Sequence, residues 1–333
     1  MSKITYSISS LNSILKKARP SQVCIVTSGI LAKKLKWAIN EIKFSNIKTV
    51  LIPDGEKAKE WEELQKLLAQ FSKLNLDRNS IVIALGGGTV GDLVGFAASI
   101  YLRGVRYVQI PTTLLGQVDS AHGGKTGINF LKYKNQIGVF AVPLVTVVDT
   151  RFIRSLSREQ IADGLGEIIK AGLIKDKSIL SILNKETLNS LPKSQRLDSL
   201  VKKSIAVKLS YTEKDFRDAT VRQILNAGHT VGHAIELKYK INHGRAVILG
   251  LIQELQFTES LGLSASSVRI NLVRLLNHLG ITMGKKMKAG WSSVIHDKKI
   301  TGKTIQFPVI QKEGKSKMVE LDLNSLKKFI EKV

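Results

Sequence analysis

The chain has 333 residues, 43% of them hydrophobic, with Gly and Pro at ordinary levels; it is too apolar for a disordered chain and long enough for two domains, each with its own core. Its formal charge of +24 comes from lysines spread over the whole length, without a block interleaved with aromatics, and aromatics are only 6% of residues; this argues against a nucleic-acid partner and for a solvated lysine surface with a few lysines doing chemistry. The one cysteine, Cys24, lies in an apolar run, so a disulfide framework is excluded and a cytoplasmic location is expected.

In chain order, the N-terminal residues MSKITYSISS lack an apolar leader, so no secretion signal is expected. A short apolar strand is predicted over 22–27 and a helix over 31–42. A strand over 49–52, a Pro-Asp-Gly turn and a helix reaching about residue 72, with Glu56 in its first turn, come next. Strand-like runs over 81–85, 107–111 and 144–149 alternate with helical stretches. That alternation predicts a parallel sheet covered by helices, an α/β nucleotide-binding domain over residues 1–150. Residues 81–102 carry a single charge, Asp92, but glycines at 86–88, 91 and 95 exclude a spanning helix, and no membrane partner is expected.

Over residues 151–333 the texture changes to helical periodicity, predicting a mainly α-helical second domain. Ser157 with Gln160 predicts a capping box for its first helix. A hairpin turning at Glu313-Gly314 and a last helix capped by Asn324 are expected near the end.

Three constellations carry chemistry. Gly86-Gly87-Gly88-Thr89-Val90-Gly91 follows a strand and opens a helix, as in G-x-G-x-x-G. Glycines there let the backbone approach a diphosphate, and the helix start offers N–H donors. The acidic residue usual at the tip of the next strand is absent, because that strand ends Gln109-Ile110-Pro111; a tight packing turn is the alternative. The stretch from Asp119 to Asn135 holds Lys125, Asn129 and Lys134 among glycines. Cations and amides at that density suit a carboxylate or phosphate, or else form a solvated turn.

The third constellation is Glu167, His229, His233 and His243. The first two histidines lie four apart on one helical face, and two histidines with a carboxylate can hold a catalytic zinc with an open position. Ordinary surface or core histidines are the other reading. Arg222 and Asn226 precede His229 on what reads as the same helix, Lys170 lies one turn after Glu167, and Lys208, Lys298 and Lys299 are further cations.

Read together, these segments resemble the 3-dehydroquinate synthase family of sugar-phosphate cyclases. The pieces are DGEKAK, ALGGGTVGDLVGFAAS with LRG after it, QIPTTLLGQVDSAHGGKTGIN, KNQIG, GLGEIIKAGLI, RQILNAGHTVGHAIE, His243-Gly244 and Asp297-Lys298-Lys299. They occur in family order across residues 54–299. The resemblance implies an N-terminal NAD-binding domain, a C-terminal helical metal domain, an active site in the cleft and a homodimer. It implies NAD and a divalent metal as cofactors, zinc foremost with cobalt as an alternative. The implied substrate is a small phosphorylated sugar acid, 3-deoxy-D-arabino-heptulosonate 7-phosphate. It is converted to 3-dehydroquinate and phosphate in the shikimate pathway of aromatic amino acid biosynthesis. The implied course is oxidation at C5 by NAD, phosphate elimination, return of the hydride and intramolecular aldol closure.

The same resemblance implies roles. Glu167, His229 and His243 would hold the metal, with His233 a polar contact to substrate. Lys125, Lys134, Asn135, Lys170, Lys208, Arg222 and Asn226 would orient the substrate, and Arg103 would reach its phosphate across a dimer interface. Asp119 would lie at the substrate and nicotinamide. Gly86, Gly87, Gly88 and Asp92 would take the NAD diphosphate and ribose, and Glu56, Lys59, Thr112 and Thr113 would add cofactor contacts, with Asp119, Lys125 and Lys134 also beside the cofactor. Another sugar-phosphate cyclase, a metal- and NAD-dependent polyol-phosphate dehydrogenase, and a degenerate member that binds polyanions are the alternatives.

Three departures from the family pattern stand out. Arg245 replaces a Glu after His243-Gly244, which removes a carboxylate and adds a cation near the third ligand. Ser28 and Ile30 stand where an Asp and an Asn for the adenosine are usual. His122 places a titratable group beside the substrate loop.

Overall fold

A computed structural model describes residues 2–131, 133–282, 287–294 and 300–332; the Asp297-Lys298-Lys299 segment lies outside them. The chain divides into two compact units, Met1–Ser155 and Leu156–Val333.

The first unit is a six-stranded parallel sheet. Its strands are β1 (Lys3–Thr5), β2 (Val23–Ser28), β3 (Ile47–Ile52), β4 (Ile81–Gly86), β5 (Arg106–Pro111) and β8 (Val145–Val147), in the order β1-β8-β5-β4-β2-β3. Strands β2 and β4 are buried at every position, as their continuous Val/Ile runs require when helices cover both faces. Strand β3, at the edge, alternates buried Val50 and Ile52 with exposed Thr49 and Leu51. Helices α1 (Ile8–Ala18), α2 (Gly29–Lys34), α3 (Lys36–Glu41), α4 (Trp61–Lys73) and α5 (Gly88–Ile100) complete the layers. Two apolar clusters result, one around Leu67, Phe71 and Val94, the other around Leu11, Leu15 and Phe152.

Strand order reverses between β2 and β4, and α5 opens there from the Gly86–Gly88 turn. Such a switch point is where open α/β sheets take ligands. An antiparallel hairpin, β6 (Lys125–Phe130) with β7 (Tyr133–Phe140), stands apart from the sheet.

Several expectations need correcting. The helix predicted over 31–42 is two short helices, broken at Leu35 (φ −106°, ψ 24°), and both Leu35 and Ala38 reach the core. Glu56 lies in a separate 3-10 turn, Gly55–Lys59, because Glu60 is extended (ψ 153°) and α4 begins only at Trp61. The 119–135 stretch is not one loop. It comprises the end of a π-turn, Gly116–Ser120, and most of the β6–β7 hairpin, whose pairing satisfies its backbone.

The second unit is mainly helical: α6 (Arg158–Ile174), α7 (Ser178–Leu183), α8 (Leu197–Thr212), α9 (His229–Tyr239), α10 (His243–Ser260), α11 (Ser266–Leu279), α12 (Trp291–Val294) and α13 (Leu323–Lys332). A small sheet of β9 (Ile300–Thr301), β10 (Thr304–Lys312) and β11 (Lys315–Asp322) turns at Glu313-Gly314 as expected. The Ser157–Gln160 capping box is formed. Asn324 lies inside α13, whose start is capped instead by Asp322, which accepts from the Ser325 amide at 2.8 Å. Among the described residues no helix is long and apolar enough to cross a membrane.

Candidate active site

In the first unit Glu56, Lys59, Gly86, Gly87, Gly88, Asp92, Thr112 and Thr113 lie around the start of α5. Its N-cap, Gly87, has no side chain to cap the first-turn amides, and the first turn itself carries no acid, although the Thr89 hydroxyl there donates to Glu56 at 3.4 Å. Gly86 is sterically required, since a β-carbon there would lie 2.4 Å from the Val90 side chain; one on Gly88 would lie 2.9 Å from Ser120 Oγ, the end of a side chain that can turn away. Thr112 and Thr113 follow β5, and the Thr113 hydroxyl accepts from the Gly116 amide at 3.0 Å, anchoring the π-turn that carries Asp119.

Beside α5 a polar network ties three elements together. The ammonium of Lys59, 3% exposed, pairs with Asp92 at 2.8 Å and with the side-chain oxygen of Asn135. Asn129 donates to Glu56 at 2.9 Å and accepts from the Asn135 amide at 3.1 Å. Burial pushes the Asp92 carboxyl up, and the Lys59 charge opposes that. Glu56, Lys59, Asp92 and Asn135 are thus one cluster; Lys125 and Lys134 lie exposed on the adjoining hairpin. Arg103 is exposed in a turn where Leu102 (φ 51°) and Arg103 (φ 63°) are both left-handed. Ser28 caps α2, accepting from the Leu31 amide at 3.3 Å, which gives the departure there a structural use. His122 is buried, its Nε2 2.8 Å from the Gln117 carbonyl.

In the second unit Glu167, His229 and His243 come together. Glu167 Oε1 lies 3.5 Å from His229 Nε2 and 3.4 Å from His243 Nε2, and their donor atoms form a group able to hold a metal. The other oxygen of Glu167 pairs with Lys170, which is 2% exposed. Oε1 itself is buried without a hydrogen-bond partner.

The far side of each ring explains the near side. His229 Nδ1 donates to the Ala227 carbonyl at 3.1 Å, and His243 Nδ1 donates to Glu236 at 3.0 Å. In the neutral rings Nε2 is then the lone-pair nitrogen, and both Nε2 atoms face a buried carboxylate oxygen without a hydrogen-bond partner, an arrangement that suits a cation among the three atoms. Electrostatics agree. Burial would raise the Glu167 carboxyl, but Lys170 and His243 outweigh it and hold it below the carboxylate range. Burial would lower His243, but the Glu167 and Glu236 carboxylates outweigh it and raise it to about 10, so these acids draw positive charge toward the ring. Burial holds His229 well below its ordinary value, keeping it neutral as a ligand must be. The residues fit a divalent metal with N₂O donors.

His233 is exposed, its ring centroid 5.0 Å from that of His229 and 5.9 Å from that of His243, and His233, Glu236 and His243 form a second donor group. Lys208 is half-buried, and its charge acts on Glu167. Arg222 and Asn226 are not on the helix of His229: they lie on a 3-10 turn, Val221–Asn226, separated from α9 by Ala227 and the left-handed Gly228. Arg222 is buried, its Nη1 donating to the Phe216 carbonyl at 2.6 Å.

Sequence reasoning missed the carboxylates behind the ligands. Glu236 supplies the outer acid that Arg245 had seemed to remove. Asp163, on α6, accepts from the Gly244 amide at 2.5 Å and so caps the helix that begins with His243.

A family model of the 3-dehydroquinate synthase N-terminal region matches residues 49–163, and one of the C-terminal region matches residues 164–300. A 3-dehydroquinate synthase of Clostridium tetani is 39% identical over 311 residues, covering 91% of this chain and 83% of that protein. The fold is similar to 2-deoxy-scyllo-inosose synthase solved with carbaglucose-6-phosphate, NAD+ and Co2+ (TM-score 0.86, 23% identity, 99% of this chain and 96% of that one). It is similar also to a 2-epi-5-epi-valiolone synthase from Streptomyces hygroscopicus solved with NAD+ and Zn2+ (TM-score 0.88, 20% identity, 100% and 96%). By two adjoining domain matches and this identity along its length, the chain belongs to the 3-dehydroquinate synthase family.

Proposed function

We propose that this protein is a 3-dehydroquinate synthase, converting 3-deoxy-D-arabino-heptulosonate 7-phosphate to 3-dehydroquinate and phosphate with NAD and a divalent metal. The observation that carries the metal-dependent part is the buried Glu167 Oε1, without a hydrogen-bond partner, 3.5 and 3.4 Å from the Nε2 atoms of His229 and His243. Bound NAD supplies a hydride acceptor that is later a donor, and bound metal polarises the substrate hydroxyls.

The chain's own residues position and neutralise. Glu167, His229 and His243 are the metal ligands. Lys170, held against Glu167, keeps that carboxylate ionised and offers an ammonium to the substrate. Lys208, Arg222, Asn226 and His233 orient the substrate's carboxylate and hydroxyls. The start of α5 takes the NAD diphosphate, and Glu56, Lys59, Asp92, Thr112, Thr113 and Asp119 shape the cofactor's surroundings. Lys125, Lys134 and Asn135 serve cofactor and substrate. The first unit is thus the cofactor domain and the second the metal and substrate domain.

A homodimer working in the cytoplasm is part of the reading. An apolar surface supports the dimer: Ile100, Leu102, Val139, Phe140, Val142 and Leu144 are each more than a third exposed, beside Arg103. Size-exclusion chromatography with light scattering should give twice the chain mass.

The decisive assay is phosphate release from the heptulosonate phosphate with NAD, with and without zinc. Release that needs both, without net NADH, is expected. Accumulating NADH would instead mark a polyol-phosphate dehydrogenase, and no release at saturating cofactors would overturn the reading.

A further inference from the structure

Glu254 lies within α10, 4% exposed, yet its carboxylate serves α9. Oε2 accepts from the Gly228 amide at 2.6 Å and Oε1 from the Val231 amide at 3.0 Å. A helix start is ordinarily capped by the side chain of its own first residue. Here that residue is Gly228, left-handed at φ +80°, where a β-carbon would lie 2.7 Å from Leu251 Cγ and 2.8 Å from the Val247 carbonyl. The position cannot carry a capping side chain, so the cap comes from the neighbouring helix, and a carboxylate suits the positive end of the α9 dipole.

The peptide that joins Ala227 to Gly228 is held at both ends. Its N–H donates to Glu254, and its carbonyl accepts from His229 Nδ1 at 3.1 Å. Because a peptide unit is planar, fixing the N–H direction fixes the carbonyl direction, and bonds in such a chain reinforce one another. The carbonyl in turn sets the tautomer and plane of the His229 ring, and so where Nε2 points.

We propose that Glu254 is a positioning residue for His229, aiming its Nε2 at Glu167 through the Ala227–Gly228 peptide. The inference rests on the reading of Glu167, His229 and His243 as metal ligands. It makes α10 responsible for two of them, since that helix carries His243 and fixes His229.

The test compares metal-stripped wild type, Glu254→Gln and Glu186→Gln in the full chain. Glu186 is a buried carboxylate of the same unit that accepts from Ser190, Ser194 and Arg196, away from the ligands. Titration with Zn2+ against a chelator should show Glu254→Gln weakened about 10–100-fold, as for other residues that orient ligands. Glu186→Gln should lose thermal stability but keep wild-type affinity. The visible spectrum of the Co2+ form should change in Glu254→Gln alone.

Equal zinc affinity in wild type and Glu254→Gln, or an equal loss in Glu186→Gln, would overturn the inference and leave the ligand reading standing. A wild type that binds no zinc would overturn both. Should Glu254→Gln not fold, amide exchange on the wild type decides. Slow exchange at Gly228 and Val231 without metal supports a turn ordered by Glu254, and fast exchange that slows only with zinc refutes it.

Discussion

Gly166 and Gly244 meet backbone to backbone: a β-carbon on Gly166 would lie 2.5 Å from the Gly244 carbonyl oxygen and 2.7 Å from its α-carbon. Helices α6 and α10 cross at this point, and the next residue along α6 is Glu167, as the preceding one on α10 is His243. A second crossing joins α9 to α10, where a β-carbon on Gly250 would lie 1.9 Å from the Gly228 carbonyl oxygen. Every ligand candidate therefore adjoins a glycine that has no room for a side chain.

Gly166→Ala should force the two helices apart. Overpacking of this kind costs about 1–3 kcal/mol, and the Glu167-to-His243 spacing should open with it. Chemical denaturation and zinc titration would read the two effects. A variant with wild-type stability and affinity would refute the account of the crossing.

Glu236→Gln should keep the bond to His243 Nδ1 but remove its charge. We expect about 10–100-fold weaker zinc binding, as when other groups behind metal-bound histidines are altered, with little change in NAD affinity. Equal zinc affinity would show that Glu236 does not tune the ligand.

Asp215 organises the turn that carries Arg222. It accepts from the amides of Ala219 (3.0 Å), Thr220 (2.5 Å) and Arg222 (3.3 Å). Burial would raise its carboxyl, but these amides outweigh it and bring it to about 2. A folded value below the unfolded one means that the unfolded chain binds more protons in between. The stabilisation is therefore complete above the ordinary carboxylate range and lost as pH falls through about 2. Asp215→Asn should cost about 1–3 kcal/mol at neutral pH, and the gap from wild type should shrink in acid. Urea melts at neutral pH and in acid would check it; a gap independent of pH would refute the charge argument.

Cys24, buried in β2, has its thiol pushed up to about 12 by burial. It should stay protonated and unreactive toward iodoacetamide in the native protein at mildly alkaline pH, and become alkylated on unfolding. Rapid native labelling, read by mass spectrometry, would contradict the packing of that strand.

Much of this was legible in the sequence because it is written in local patterns. The β-branched run before Gly86, the glycine turn and the Ser157–Gln160 box each act within a few residues, and each forms. The α/β and helical textures follow from the same local periodicities. What escaped was tertiary. Whether Glu56 begins a helix depends on the Lys59–Asp92 pair and Asn129, far along the chain. That the Arg222 turn is separate from α9 depends on a left-handed Gly228, crowded by Leu251. The carboxylates of Asp163, Glu236 and Glu254 look like misplaced charges until the helix starts, and for Glu236 the His243 ring, are folded against them.

The glycine crossings beside Glu167, His229 and His243 bear on ionic radius. The backbones that carry the three donors touch, so a larger cation must be met by rotating side chains already held by Lys170, the Ala227 carbonyl and Glu236, or by parting α6, α9 and α10. The site should thus discriminate by size among cations that share a taste for nitrogen and oxygen. Zn2+ and Co2+ should interchange in it, while Cd2+ should bind only at the expense of the fold's stability.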